Sequence, residues 1–346
     1  MKQKKTIKIK FSGMGGKFDP QNNFISNILK KYYTVELSDN PDYLIYSVNS
    51  SDYLKYNCVR IFYTAENIVP DFNICDYAIG FHYMDFGDRY CRYPLYMVDG
   101  FKAYSGDDYA SDLIRAQHKQ EVSQDYTKTD FCSFVYSNGD AAICREKIFD
   151  ALSNYKKVNS GGRYRNNIGG PVVSKLEFQK KHRFVIAFEN STTPGYTTEK
   201  IVHAFAAGSV PIYWGNPDIT KEFNAGSFIN CHDFGLKADG DDNVIQEIVS
   251  KIIELDQNEN EYKKMLATPA FADSNYVSNV QKTFEEFLLN IFSQSKEASY
   301  RRNLLYWGKR YERKQIIGNA FYWQCRKFIP IRDFMIKMRR LFTRKK

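Results

Sequence analysis

A lysine in the first turn of a helix works against the helix dipole, so an anion in front of it explains its presence better than helix stability does, although taken alone it reads as a solvated surface lysine. Lys200 is such a lysine. Before it come Arg183 to Phe188, a short apolar run of the kind buried on both faces of a parallel sheet, and the polar loop Glu189 to Tyr196. Thr197 or Thr198 can cap the helix, Ile201, Val202, Ala204 and Phe205 give it a buried side, and Gly208 suits its end. Val210 to Trp214 reads as the next buried strand, closed by Gly215-Asn216-Pro217. The stretch is therefore one strand-helix-strand unit. In such sheets ligands sit outside the carboxyl ends of the strands, where Asn190 to Tyr196 would lie. Residue types alone support an anion site, with phosphate as its natural occupant, in an α/β fold.

Glu66 stands just past another strand-like run, Val59 to Thr64, again at a carboxyl strand end. Taken alone it reads as an exposed loop carboxylate. His82, set among aromatics, reads first as a packed side chain and second as an alternative base. Arg145 falls in the first turns of a helix expected from Ala141 to Leu152, where an isolated arginine belongs to a solvated face.

The ordered motifs change these readings. Phe188-Glu189-Asn190-Ser191, then Gly195-Tyr196-Thr197-Thr198-Glu199-Lys200-Ile201, then Pro211-Ile212-Tyr213-Trp214-Gly215 resemble the donor-binding motif of the α-1,3-fucosyltransferases, glycosyltransferase family 10. Tyr63 to Asn67, Asp76 to Phe81, Asp88-Arg89-Tyr90, Pro94-Leu95-Tyr96, Phe134 to Asn138 with Arg145 to Leu152, and Ser160 to Gly169 extend the resemblance from about Tyr63 to about Trp214.

The resemblance implies a GT-B architecture, two doubly wound Rossmann-like α/β domains facing across a cleft. It implies inverting transfer of L-fucose from GDP-β-L-fucose to the 3-hydroxyl of GlcNAc in a galactosyl-β-1,4-GlcNAc (N-acetyllactosamine) acceptor, a Lewis x type product. Glu66 is then the general base, Arg145 and Lys200 neutralise the diphosphate, and Asn190, Tyr196 and Glu199 are the other donor contacts. Arg163 or Arg165 would add to the positive field. No cofactor or metal is required by this scheme, and metal stimulation is left open. The alternatives are a GT-B transferase with another donor sugar or an α-1,4 linkage, and a membrane-tethered nucleotide-sugar-binding protein without catalysis. A binding module has no use for an acceptor-side base, so Glu66 together with Arg145, Glu199 and Lys200 favours the enzyme.

The elements that must position these residues fit in 346 residues as two domains, each with its own core. A hydrophobic content of 43% and an aromatic content of 16% exclude a disordered chain. The expected division is 1–127 for the acceptor domain and its connection, 128–298 for the GDP-fucose domain, where helical spacing over 243–266 and 276–293 would finish the fold, and 299–346 for a basic tail. The turn Gly13-Met14-Gly15-Gly16 lacks the full dinucleotide fingerprint. Seven scattered cysteines without a Cys-x-x-Cys pair argue for a reducing cytoplasm and against zinc or a disulfide framework. No stretch is apolar and long enough to span a bilayer, and none near the N-terminus resembles a signal peptide.

The net charge of +9 is concentrated at one end. Residues 301–346 hold fifteen Lys and Arg against two acids, leaving thirty-four basic and thirty-eight acidic residues in 1–300. At helical spacing Ile331, Phe334, Met335, Met338, Leu341 and Phe342 share one face, and Arg332, Lys337, Arg339, Arg340 and Arg344 the other; only Ile336 breaks the division. The apolar face favours an anionic membrane surface over nucleic acid, with packing against the protein's own body as the other reading. The resemblance, to a family whose bacterial members carry similar basic tails, implies the inner face of a bacterial membrane.

Overall fold

The structure is a computed structural model that describes residues 4–15, 18–98, 108–122 and 128–325. The expected amphipathic segment at 331–344 lies outside the described residues. The first domain carries a six-stranded parallel sheet of β1 (Thr6–Ser12), β2 (Thr34–Leu37), β3 (Tyr43–Tyr46), β4 (Val59–Tyr63), β5 (Tyr77–Gly80) and β6 (Tyr90–Arg92), in the order β2-β1-β3-β4-β5-β6. Between β1 and β2 runs α1 (Phe24–Tyr32), whose start is capped by the Asn23 side chain accepting from the amides of Ile25 and Ser26. Every residue of β3, β4 and β5 is buried, as a sheet covered on both faces requires.

Two helices, α2 (Tyr109–Gln117) and α3 (Lys119–Val122), lead into the second domain. Its elements are β7 (Asp130–Phe134), α4 (Cys144–Ser153), β8 (Val158–Ser160), α5 (Lys175–Gln179), β9 (His182–Phe188), α6 (Glu199–Ala206), β10 (Val210–Trp214) and β11 (Ile229–Asn230). The five strands are parallel in the order β11-β10-β9-β7-β8. Strand order reverses between β1 and β3 in the first sheet and between β7 and β9 in the second, and these are the two points at which such sheets bind ligands.

Four further α-helices follow among the described residues: α7 (Asp242–Gln257), α8 (Glu259–Ala267), α9 (Tyr276–Ser293) and α10 (Tyr306–Cys325). The helical spacing over 243–266 is two helices, because Asn258 turns to an extended backbone and caps α8 through the amide of Glu261. The stretch 276–293, expected to finish the second domain, is helical but crosses back to the first. Phe284 of α9 stacks on Tyr93 with ring centroids 4.0 Å apart, and Phe292 meets Tyr43 at 4.5 Å. An amphipathic helix announces that one face is buried, not against which neighbour.

One apolar cluster runs from Ile7, Ile9 and Ile61 of the first sheet through Leu95, Tyr96 and Leu113 to Ile201, Phe205 and Tyr213 of the second domain, so the domains share a continuous core. The six described cysteines are buried and unbridged.

The chain following α9 is locked to the first sheet by Asp76. This fully buried carboxylate pairs with Arg302 and accepts the amides of Arg60, Arg301 and Arg302 at 2.8, 2.8 and 2.9 Å. Removing one partner of a buried pair strands the other charge. Asp76→Ala is expected to lower the unfolding free energy by about 3–5 kcal/mol in urea titrations.

Candidate active site

The loop after β9 is the centre of the site. Phe188 ends the buried strand, and the next residue, Glu189, is itself fully buried. Its carboxylate accepts the Thr198 amide at 2.8 Å, the Thr198 hydroxyl at 2.7 Å and the Lys200 ammonium at 2.8 Å. Thr198 does occupy the cap position of α6, but its side chain makes no capping bond. Part of the anion's place at this helix start is thus taken by an internal carboxylate. Lys200 also lies 3.7 Å from Glu199. Burial works against the Lys200 charge, yet Glu189 and Glu199 hold its pKa above the ordinary lysine value. Burial likewise opposes the Glu199 carboxylate, and Lys200, Lys175 and His203 outweigh it, lowering Glu199 to about 2.

Arg145 does not lie on a solvated face. It is buried to 1% exposure in the first turn of α4, with its guanidinium 4.3 Å from the Tyr136 ring centroid. It donates to Asn190 Oδ1 at 2.9 Å and to the Asn138 carbonyl at 2.6 Å, and its Nε has no hydrogen-bond partner among the described residues. Asn138 follows β7 and Asn190 follows β9, so Arg145 spans the second sheet's switch point. Tyr196 is buried, packed edge-on to Phe81 of the first domain at 5.2 Å. Its phenol is pushed up by burial first, then by Glu189, with Glu199 and Glu66 adding to the shift.

Glu66 comes to this site from the opposite domain. It is exposed, its amide donating to Thr64 Oγ1 at 2.9 Å, while its neighbour Asn67 donates to Ser191 Oγ and Thr193 Oγ1, both at 2.8 Å. The structure therefore brings Glu66, Arg145, Asn190, Tyr196, Glu199 and Lys200 into one neighbourhood, where the loop after β4 meets the loop after β9. Arg165 pairs with Asp150 on the outer side of α4, and Arg163 is exposed. His82 packs beside the donor loop, where burial and then Arg92 lower its pKa.

Sequence reasoning missed the residue that joins the halves. Glu222, fully buried, accepts from Tyr83 at 2.9 Å and Arg92 at 2.6 Å in the first domain, from Thr197 at 2.8 Å and Asn216 at 3.0 Å in the second, and from Tyr96 and Tyr276 as well. Arg92 also donates to the carbonyls of Phe81 at 2.7 Å and Gly195 at 2.8 Å. The Gly195 amide donates to Asn216 Oδ1 at 2.8 Å. A weak signal for Glu222 existed: it sits between the buried apolar residues Ile219 and Phe223. Among the described residues no group of three or more His, Cys, Asp and Glu is placed to hold a metal ion.

Two parallel-sheet domains meeting at their carboxyl strand ends, with a basic anion site in one and a carboxylate in the other, define a GT-B-type glycosyltransferase. The α-(1,3)-fucosyltransferase FucT N-terminal domain matches residues 9–99, and the glycosyltransferase family 10 (fucosyltransferase) C-terminal domain matches residues 126–284. The chain belongs to glycosyltransferase family 10. It is 37% identical over 243 residues to the alpha-(1,3)-fucosyltransferase FucT of Helicobacter pylori, covering 62% of this chain and 51% of that one. It is 28% identical over 172 residues to alpha-(1,3)-fucosyltransferase B of Drosophila melanogaster, covering 44% and 37%. A crystal structure of an alpha1,3-fucosyltransferase with GDP-fucose superposes with a TM-score of 0.63 at 31% identity, covering 83% of this chain and 92% of that one. The chain spans about half the length of the H. pylori relative.

The close approach of the domains depends on Gly195. Its φ is +91°, and a Cβ there would lie 2.3 Å from the Phe81 carbonyl oxygen. Gly195→Ala is expected to cost about 2–4 kcal/mol in thermal unfolding, the sum of left-handed strain and overpacking. A loss below about 1 kcal/mol would mean that the loop is free to shift.

Proposed function

We propose that the protein is an inverting α-1,3-fucosyltransferase that moves L-fucose from GDP-β-L-fucose to the 3-hydroxyl of GlcNAc in galactosyl-β-1,4-GlcNAc. The observation that carries this reading is the joining of the Glu66 loop to the donor loop through Asn67, which supports Glu66 as the acceptor-side carboxylate. The H. pylori relative and the structure with GDP-fucose supply the donor and the linkage.

Inversion needs a base on the attacking hydroxyl, a polar surround for the oxocarbenium-like sugar and compensation for charge building on the departing diphosphate. Glu66 takes the acceptor proton. Arg145 and Lys200 face the diphosphate, and Glu199, held as a carboxylate, is available to the hydroxyls of the sugar. Asn190 fixes the Arg145 guanidinium, and Tyr196 carries the loop across to the first domain. No metal is assigned a role. Surface polysaccharide is the natural acceptor class in this reading, and the basic segment at 331–344 holds the enzyme at an anionic membrane.

The test is product formation from GDP-fucose and N-acetyllactosamine, with linkage read by NMR. An α-1,3-fucosyl trisaccharide is expected; transfer only to galactosyl-β-1,3-GlcNAc, whose free 4-hydroxyl would take an α-1,4 link, or only from another nucleotide sugar, would replace the reading. Glu66→Gln is expected to lower kcat by about 10²–10⁴-fold with GDP-fucose affinity unchanged in calorimetry. Near-normal turnover would remove Glu66 from the role.

A further inference from the structure

A cavity of about 500 Å³ opens at the carboxyl end of the first sheet, between the segments that follow β3 and β4 and the outer helix α10. It lies beside the β1/β3 reversal, the ligand position of a doubly wound sheet, and its size falls in the range of small-molecule sites. Its β3 segment is firmly seated. Gly13, at φ +65°, lets the turn after β1 press against it so closely that a Cβ would meet the Ser47 carbonyl oxygen at 2.6 Å.

The lining has a definite chemistry. Tyr53, half-buried, stacks on Tyr46 with ring centroids 4.2 Å apart, and Phe62 lies behind them. Around these rings stand serine hydroxyls and the amides of Asn49, Gln315 and Asn319. No lysine or arginine lines the cavity, and its one acidic residue, Asp71, accepts a hydrogen bond from the Tyr311 hydroxyl at 2.8 Å. An anion has nothing to pair with there. Aromatic faces ringed by neutral donors and acceptors suit a polyol, whose C–H face packs on a ring while its hydroxyls bond the amides.

The cavity is also close to the reacting end. Ile68, on its wall, donates its amide to the Glu66 carbonyl at 2.8 Å. Helix α10 is fixed over the outer face of the sheet by Arg60, buried at 2% exposure, which pairs with Glu312 at 2.8 Å. Gln315 and Asn319, one and two turns beyond, then reach the cavity.

We propose that this cavity is an extended sugar subsite: it holds a neutral pyranose of the acceptor glycan beyond the disaccharide that receives fucose, with Gln315 and Asn319 of α10 as its specificity-determining residues. This rests on the function proposed above. The test compares acceptor kinetics of the full chain on N-acetyllactosamine and on the tetrasaccharide galactosyl-β-1,4-GlcNAc-β-1,3-lactose. The wild type is expected to show a lower KM for the tetrasaccharide. Q315A and N319A, on a half-exposed helix face, are expected to raise that KM about five-fold while the KM values for the disaccharide and GDP-fucose stay unchanged. Equal wild-type KM values, or variants that shift both acceptors alike, would overturn the proposal. Saturation-transfer NMR of the tetrasaccharide requires no turnover. If neither acceptor is fucosylated, the functional reading fails, and the subsite stands on reducing-end proton signals that N319A abolishes; no such signals in the wild type would overturn it.

Discussion

A carboxylate taken fully out of water must be surrounded by donors, and Glu222 is the residue on which the two halves of this protein agree to provide them. Arg92 and Tyr83 come from the first domain, Thr197 and Asn216 from the donor side, and Tyr276 from the helix that crosses between them. Four separate segments are fixed by one side chain. The same arginine that neutralises Glu222 holds the Gly195 carbonyl, and the same asparagine that bonds Glu222 holds the Gly195 amide. The donor loop is thus gripped at both peptide groups flanking one residue before any ligand is considered.

A second buried charge system is built into that loop. Glu189 and Glu199 flank Lys200, so the lysine's cost of burial is met within the protein. The orientation of this positive group is set before any ligand is considered, which is the condition under which electrostatic stabilisation acts without reorganisation. Arg145 is set in the same way, by Asn190, the Asn138 carbonyl and the Tyr136 ring. Preorganisation of the loop after β9, and the arrival of the Glu66 loop on the facing domain, are two results of one docking geometry.

Much of this was legible in the chain. A nearly continuous apolar strand, a polar loop and a helix with a lysine in its first turn read together as an anion site in an α/β fold, and the ordered motifs around Glu66, Arg145 and Glu199 assign them to facing domains. What could not be read follows from physics. Glu222 finds its partners in residues 83, 92, 96, 197, 216 and 276, and no local pattern encodes a contact between segments so far apart. Glu189 stood within the quoted motif, but its pairing with Lys200 depends on the chain doubling back through the loop. The amphipathic pattern of α9 marks a buried face equally well for either domain, and only the stacking of Phe284 on Tyr93 decides between them.

The central claim is that the donor loop is held in its working shape by Glu222, Arg92 and Glu189 before donor binds. Amide hydrogen exchange in the ligand-free protein tests it directly. The Gly195 amide, bonded to Asn216, and the Thr198 amide, bonded to Glu189, should exchange far more slowly than in an unfolded chain, with GDP adding little further protection. Exchange of both at unfolded rates until GDP is added would show that the ligand, not the protein, builds the site.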